Sequence, residues 1–239
     1  LAFVKKALRG YENPKCLEIG CGSGSFLGLA RREGIDIRGL ELSAEAVERA
    51  RAQGIEGIDV GTLDDAVKSG ERFDAVIMFH LLEHLVDPRE YMKKLAGILR
   101  EGGCVILQVP NLSSWQALGL GRRWYGLDCP RHVCNYSERS LGILLTSAGF
   151  RKDRVETFSL RDNAPALVSS LFPFLDPLGS RVKCLAAERV PGELSTLLRN
   201  LSYFLLVLAA IPWAWFEALC SRGATIKISA VRISARGNS

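Results

Sequence analysis

A chain of 239 residues, 48% hydrophobic and 24% charged, has the composition of a folded globular protein, which excludes wholesale disorder and a polytopic membrane protein. The length suffices for one well-buried α/β core with an elaboration. The formal net charge of +5 is modest, and acids accompany the basic residues through most of the chain, so no nucleic-acid partner is expected.

From Lys15 to Pro110 short apolar runs alternate with amphipathic segments, the signature of βα units on a parallel sheet. The pattern predicts strands at Lys15–Ile19, Ile35–Leu40, Gly57–Val60, Phe73–Phe79 and Cys104–Val109. Ser43 is the expected N-cap of a helix over Ala44–Gln53, Asp87 and Pro88 open another, and Gly102-Gly103 are expected to end that one before the fifth strand. Ser137 then precedes a helix over Glu138–Ala148 that Gly149 stops, and Arg154–Leu160 and Thr225–Arg232 alternate as strands. The expected organisation is a cofactor-binding core over 1–160, an apolar helical insertion over 161–223, and a final core strand and tail over 224–239. The seven cysteines form no even framework, and several sit in apolar runs, so reduced thiols in a cytoplasmic protein are expected.

Leu17-Glu18-Ile19-Gly20-Cys21-Gly22-Ser23-Gly24-Ser25-Phe26 is an apolar strand running into a glycine-rich turn and a helix. Such a turn lets backbone approach a nucleotide-type cofactor at the carboxyl edge of the first strand. The dinucleotide pattern G-x-G-x-x-G fails, because Ser25 stands at its last position. Glu18 would repel a pyrophosphate but suits the ammonium of a bound amino acid. Glu41, at the end of the second strand and next to Leu42, is placed to accept from both ribose hydroxyls. After the third strand come Thr62, Leu63 and Asp64, with Leu63 as a wall for an adenine ring. Phe26, and Phe79 with His80 at the end of the fourth strand, complete the candidate cofactor set. Together these describe an adenosine that bears an amino-acid tail.

Four motifs occur in order: Glu18–Gly24, Gly39–Ser43, Phe73–Pro88 (FDAVIMFHLLEHLVDP) and Leu99–Asn111 (LREGGCVILQVPN). On these the chain resembles class I S-adenosylmethionine-dependent methyltransferases, and more narrowly the group sharing motifs with ubiquinone-biosynthesis-type O-methyltransferases. The resemblance implies S-adenosylmethionine as cofactor and a Rossmann-like, doubly wound seven-stranded sheet in the order 3-2-1-4-5-7-6, its last strand antiparallel. It also implies an acid where this chain has Thr62, so Asp64 or backbone must take the adenine contact.

His80-Leu81-Leu82-Glu83-His84 has the spacing of an inverted zinc-protease motif, which requires a helix. Here His80 follows an apolar strand directly and Pro88 soon opens the next helix, so that reading is rejected; no metal ligand is assigned, although the resemblance leaves a divalent ion open, since the quinone O-methyltransferases carry an acid where His80 stands. The segment Arg123–His132 joins the fifth strand to the next helix, on the edge where substrates lie in such folds, and resembles the W-x-G-L-D-x-P-R-H segment of one branch of the family. For a hydroxyl acceptor, His132 or His80 is the candidate proton acceptor.

Leu201–Cys220 is long enough to cross a bilayer but is interrupted by Pro212 and Glu217. If Thr225–Arg232 rejoins the sheet left by Arg154–Leu160, a single crossing is excluded. A buried lid, a helix in a membrane interface anchored by Tyr203, Trp213, Trp215 and Phe216, and a homodimer contact remain as readings. The first two favour a small-molecule acceptor with an apolar or lipid-linked body. The competing class is a non-catalytic regulatory protein that binds the same cofactor.

Overall fold

The computed structural model describes residues 1–177 and 193–233. In chain order the elements are α1 (Ala2–Ala7), β1 (Cys16–Ile19), α2 (Ser25–Arg32), β2 (Ile37–Glu41), α3 (Ala44–Ala52), β3 (Ile58–Val60), α4 (Leu63–Lys68), β4 (Phe73–Phe79), α5 (Pro88–Ile98), β5 (Leu99–Pro110), α6 (Trp115–Leu120), α7 (Glu138–Ser147), β6 (Phe150–Glu156), α8 (Asn163–Leu171), α9 (Glu193–Leu219) and β7 (Thr225–Arg232). The strands form one sheet in the order 3-2-1-4-5-7-6. β1 to β5 are parallel neighbours, and β7 runs antiparallel to β6.

The caps behave as their chemistry dictates. Ser43 Oγ accepts from the Ala46 N–H at 3.2 Å and Asp87 Oδ1 from the Glu90 N–H at 3.0 Å, each satisfying a donor that the first helical turn leaves orphaned. The core beneath the first helices gathers Cys16, Leu27, Ile37, Val47, Ile58, Ile77 and Ile106, all essentially inaccessible to water.

Two expectations fail on boundaries. Gly102-Gly103 do not end a helix, because α5 stops at Ile98 and Leu99 already pairs with Phe73. The glycines sit inside β5 beside a register shift, with Gly102 at φ +72 and no room for a Cβ at Gly103 between the Arg100 and Asp74 carbonyls. The sixth strand is Phe150–Glu156 rather than Arg154–Leu160. It starts directly after Gly149 (φ +81) and is the edge of the sheet, so its middle residues are charged and exposed instead of alternating. The apolar residues after Glu156 belong to the connection into α8.

The chain divides into two compact units, one of Leu1–Val109, Glu138–Glu156 and Lys227–Ser239, the other of Pro110–Ser137 and Thr157–Ile226. In the second, α9 begins earlier than the apolar run suggested and continues through Pro212 without breaking. Its inner stripe packs on α8, where the Tyr203 hydroxyl lies 3.0 Å from Ser169 Oγ.

Candidate cofactor site

Because β1 to β4 are parallel and adjacent, the segments that follow them share the carboxyl edge of the sheet. Glu18 is buried in β1 between Gly39 and Ile77 of the neighbouring strands. Its Oε2 has no hydrogen-bond partner. Burial, and secondly the charge of Glu41, push its carboxyl up to about 8. A buried carboxylate oxygen without a donor costs several kilocalories per mole unless something cationic or a proton meets it.

The loop beyond β1 turns on three left-handed glycines, Gly20 (φ +74), Gly22 (φ +53) and Gly24 (φ +70). They have different reasons to be glycine. A Cβ on Gly24 would strike Ile58 Cδ1 at 2.5 Å, and one on Gly20 would press on Leu81 at 3.2 Å, whereas one on Gly22 would meet no protein atom within 4 Å. Packing requires Gly24, while Gly22 borders open space that a ligand can enter. Glu41 fastens this loop: its Oε2 accepts from the Gly22 N–H at 2.7 Å and its Oε1 from the Ser43 N–H at 3.0 Å. Cys21 is buried, and its thiol is pushed up to about 12 by burial and the nearby Glu18 and Glu41 charges, so it stays protonated and inert. Ser23 is exposed, with its hydroxyl 3.0 Å from that of Ser25.

At the end of β3, Thr62, Leu63 and Asp64 line a cavity of about 240 Å³ with Asp87, Glu90, Tyr91 and Lys94. The Thr62 hydroxyl and N–H both donate to Asp65 Oδ2, at 2.8 and 2.9 Å, which closes the start of α4. Asp64 takes Lys94 Nζ at 2.8 Å. Leu42, next to Glu41, is 75% exposed, an apolar side chain left open at the ribose end. Phe26 and Phe79 meet edge-to-face at 4.8 Å and support the loop from beneath.

His80 adopts φ +53, unusual for a residue with a side chain. Its Nε2 lies 2.9 Å from Gln108 Nε2, an amide donor, so Nε2 accepts, and Nδ1 donates to Glu83 Oε1 at 3.2 Å. Glu83 is fully buried on a 3-10 turn, Leu82–His84. The two histidines of H-x-x-E-H therefore do not share a helical face, which removes the protease geometry. Gln108 was not legible as part of this arrangement. The signal for it was a lone amide in the otherwise apolar run of β5, whose pairing puts it level with Phe79.

In the second unit His132 follows a turn in which the N–H groups of Arg131 and His132 both donate to the Asp128 carbonyl. Its Nδ1 donates to the Gly126 carbonyl at 2.8 Å, which assigns the neutral ring's proton to Nδ1 and its lone pair to Nε2. Asp128 Oδ2 stands 4.0 Å from that Nε2.

Residues 2–155 match a family model described as a methyltransferase domain. Curated relatives include a ubiquinone biosynthesis O-methyltransferase of Pectobacterium carotovorum, 27% identical over 55% of this chain and 58% of that protein. Another of the same name, from Alkalilimnicola ehrlichii, is 35% identical over 46% of this chain and 47% of its own length. The chain thus spans about half the length of the curated relatives it matches. Among solved structures, a SAM dependent methyltransferase from Archaeoglobus fulgidus aligns over 97% of this chain and 94% of its own, with a TM-score of 0.56 and 21% identity. The [4+2]-cyclase SpnF aligns over 98% of this chain and 81% of its own, with a TM-score of 0.58 and 17% identity. At such identities the likeness is one of fold, and the fold hosts more than one reaction.

Proposed function

Because the chain belongs to the methyltransferase domain family, we propose that it transfers a methyl group from S-adenosylmethionine to an oxygen of a small-molecule acceptor with a large apolar or lipid-linked body. The observation that carries the cofactor is the orphaned, buried Oε2 of Glu18 beside a loop whose Gly22 borders open space. The donor set fits that molecule: Glu18 for the ammonium, the Glu41 carboxylate for the ribose hydroxyls through lone pairs beyond the two used on backbone, and Leu42 with Thr62, Leu63 and Asp64 for the base. A dinucleotide is disfavoured by the loop itself, since Ser25 stands where the dinucleotide pattern needs its third glycine. The acceptor oxygen is supported by the O-methyltransferase names of the curated relatives.

When bound, S-adenosylmethionine supplies a sulfonium methyl that is already activated for transfer. The protein's work is then alignment, worth on the order of 7 to 11 kcal/mol in well-oriented systems. Glu18 would hold the ammonium and Glu41 the ribose of the cofactor beside the glycine loop that Glu41 fastens. We assign the removal of the acceptor's hydroxyl proton to His132, whose Nδ1–H is engaged by the Gly126 carbonyl. His80, held on both ring nitrogens, orients the edge of the site and does not act as the base.

The test is incubation with methyl-labelled S-adenosylmethionine and a panel of quinone-like and lipid-linked hydroxyl compounds, reading label in the organic extract. Label in an ether product supports the reading. Tight cofactor binding with no transfer to any hydroxyl would leave a non-catalytic binder in its place.

A further inference from the structure

The exposed face of α9 has no counterpart elsewhere in the described chain. Leu197, Leu201, Phe204, Leu205, Leu208 and Trp215 are each at least about half exposed, along a helix whose 27 residues span about 40 Å at 1.5 Å per residue. Leu194–Leu219 is long and apolar enough to cross a membrane, and its most apolar stretch is not buried within the protein. A continuous apolar face of this size is not left to water.

We propose that this face docks on the surface of an anionic phospholipid bilayer, lying in the interface without crossing it, a role separate from the methyl transfer itself. Charge selects the occupant. From Leu194 to Leu219 the helix carries one acid, Glu217, which is fully buried under the helix, accepts from Gln116 Nε2 at 2.6 Å and is pushed up to about 7 by burial. Among the described side chains of α9, the exposed face therefore bears no carboxylate. Exposed cations occur instead towards the carboxyl end of α9: Arg222 lies just beyond the helix and donates to the Ser113 carbonyl at 3.2 Å, and Arg122 and Arg123 follow α6, whose Trp115 packs on Trp213 and Phe216 of α9 at 6.0 and 5.7 Å. A second copy docked by two-fold symmetry would bring this carboxylate-free face against itself and give those arginines no acid there to pair with. Lipid phosphates supply that charge, and acyl chains take the leucines.

Neighbouring features agree. Trp213, on the same helix, also lines an apolar cleft of about 340 Å³ with Trp115, Leu120 and Leu167, of a size to receive part of a hydrocarbon chain. Tyr203, by contrast, is turned inward onto Ser169 and is not an anchor. Crossing is excluded by connectivity, since the segment leaves the sheet at β6 and returns to it as β7, its antiparallel neighbour.

The experiment is co-sedimentation of the whole chain with phosphatidylcholine vesicles with and without phosphatidylglycerol, with the oligomeric state read by ultracentrifugation. Binding to the anionic vesicles is expected, released by high salt. Leu201→Glu with Leu205→Glu should weaken it more than about tenfold, because two exposed leucines lose their apolar contact and gain repulsion. Arg122→Ala with Arg123→Ala should weaken it roughly fivefold per arginine. Val67→Glu, an exposed position in the other unit, should leave it unchanged. Cofactor binding by calorimetry should be the same in all variants, so a failed docking is distinguishable from a failed cofactor site. Equal binding to both vesicle types, resistance of the bound protein to alkaline carbonate, or a dimer that the leucine variant dissolves in a chain that ignores vesicles would each overturn the proposal.

Discussion

The Glu41 carboxylate accepts the Gly22 N–H at 2.7 Å, so the acid that ends the second strand holds the glycine loop that follows the first. One side chain thereby shapes the loop and presents its remaining lone pairs to a ligand. Glu41→Ala is expected to weaken S-adenosylmethionine binding by roughly 10²- to 10⁴-fold, from two charge-assisted hydrogen bonds of roughly 1.5 to 3 kcal/mol each. Glu41→Gln should lose less, since an amide still offers one acceptor oxygen. Calorimetric titration measures both, and unchanged affinity in the alanine variant would remove this acid from the site.

Glu18 predicts a pH dependence with a definite sign. Its folded carboxyl is raised from 4.5 to about 8, so between those values the native state holds a proton that the unfolded state has lost. Its contribution to stability is present below pH about 4.5 and is lost as pH rises towards 8. Glu18→Gln should flatten that part of the curve of melting temperature against pH. A cationic ligand at Oε2 favours the ionised form, so cofactor binding at pH 7 should release a proton and tighten as pH approaches 8. Titration in buffers of different ionisation enthalpy counts that proton, and a count of zero at pH 7 would contradict the assignment.

The glycines separate packing from ligand approach. Gly24→Ala forces a Cβ into Ile58 at φ +70 and should destabilise the protein by about 1 to 3 kcal/mol, seen as a lower denaturation midpoint. Gly22→Leu meets no protein atom at its Cβ and carries only the backbone strain, yet it should lower cofactor affinity more than Gly24→Ala does. The reverse ranking of affinities would place the ligand elsewhere.

The histidines should divide by kinetics. His132→Ala is expected to lower kcat about 100-fold with cofactor affinity nearly intact, as for a lost general base. A fall in thermal stability with kcat preserved would instead mark His132 as a pin for the loop through Gly126. His80→Gln should cost less in kcat, because its ring is already engaged by Glu83 and Gln108. A pH–rate profile that loses its lower limb in the His132 variant but not in the His80 variant would confirm the division.

Local chemistry is what the sequence by itself determined. A strand–glycine–helix run with Glu18 ahead of it, an acid at Glu41, caps at Ser43 and Asp87 and the alternation of Thr225–Arg232 each depend on near neighbours, and each lies where its pattern placed it. The strand order that the sheet adopts came from the family resemblance that the ordered motifs carry, not from any pattern within them. Only the tertiary structure decided which side chains share an environment. The clamp of His80 joins residues of β5 and a turn after β4, and no spacing rule links Gln108 to either. The desolvation that raises Glu18, and the burial that removes Glu217 from an otherwise apolar helix, depend on what packs over them. An edge strand reads as charged because one of its sides lacks a partner, which is why β6 escaped the alternation expected of it. Which residues of α9 stay exposed rested on which of its faces found the rest of the chain, a matter of three-dimensional packing that periodicity cannot rank when apolar residues surround the whole helix.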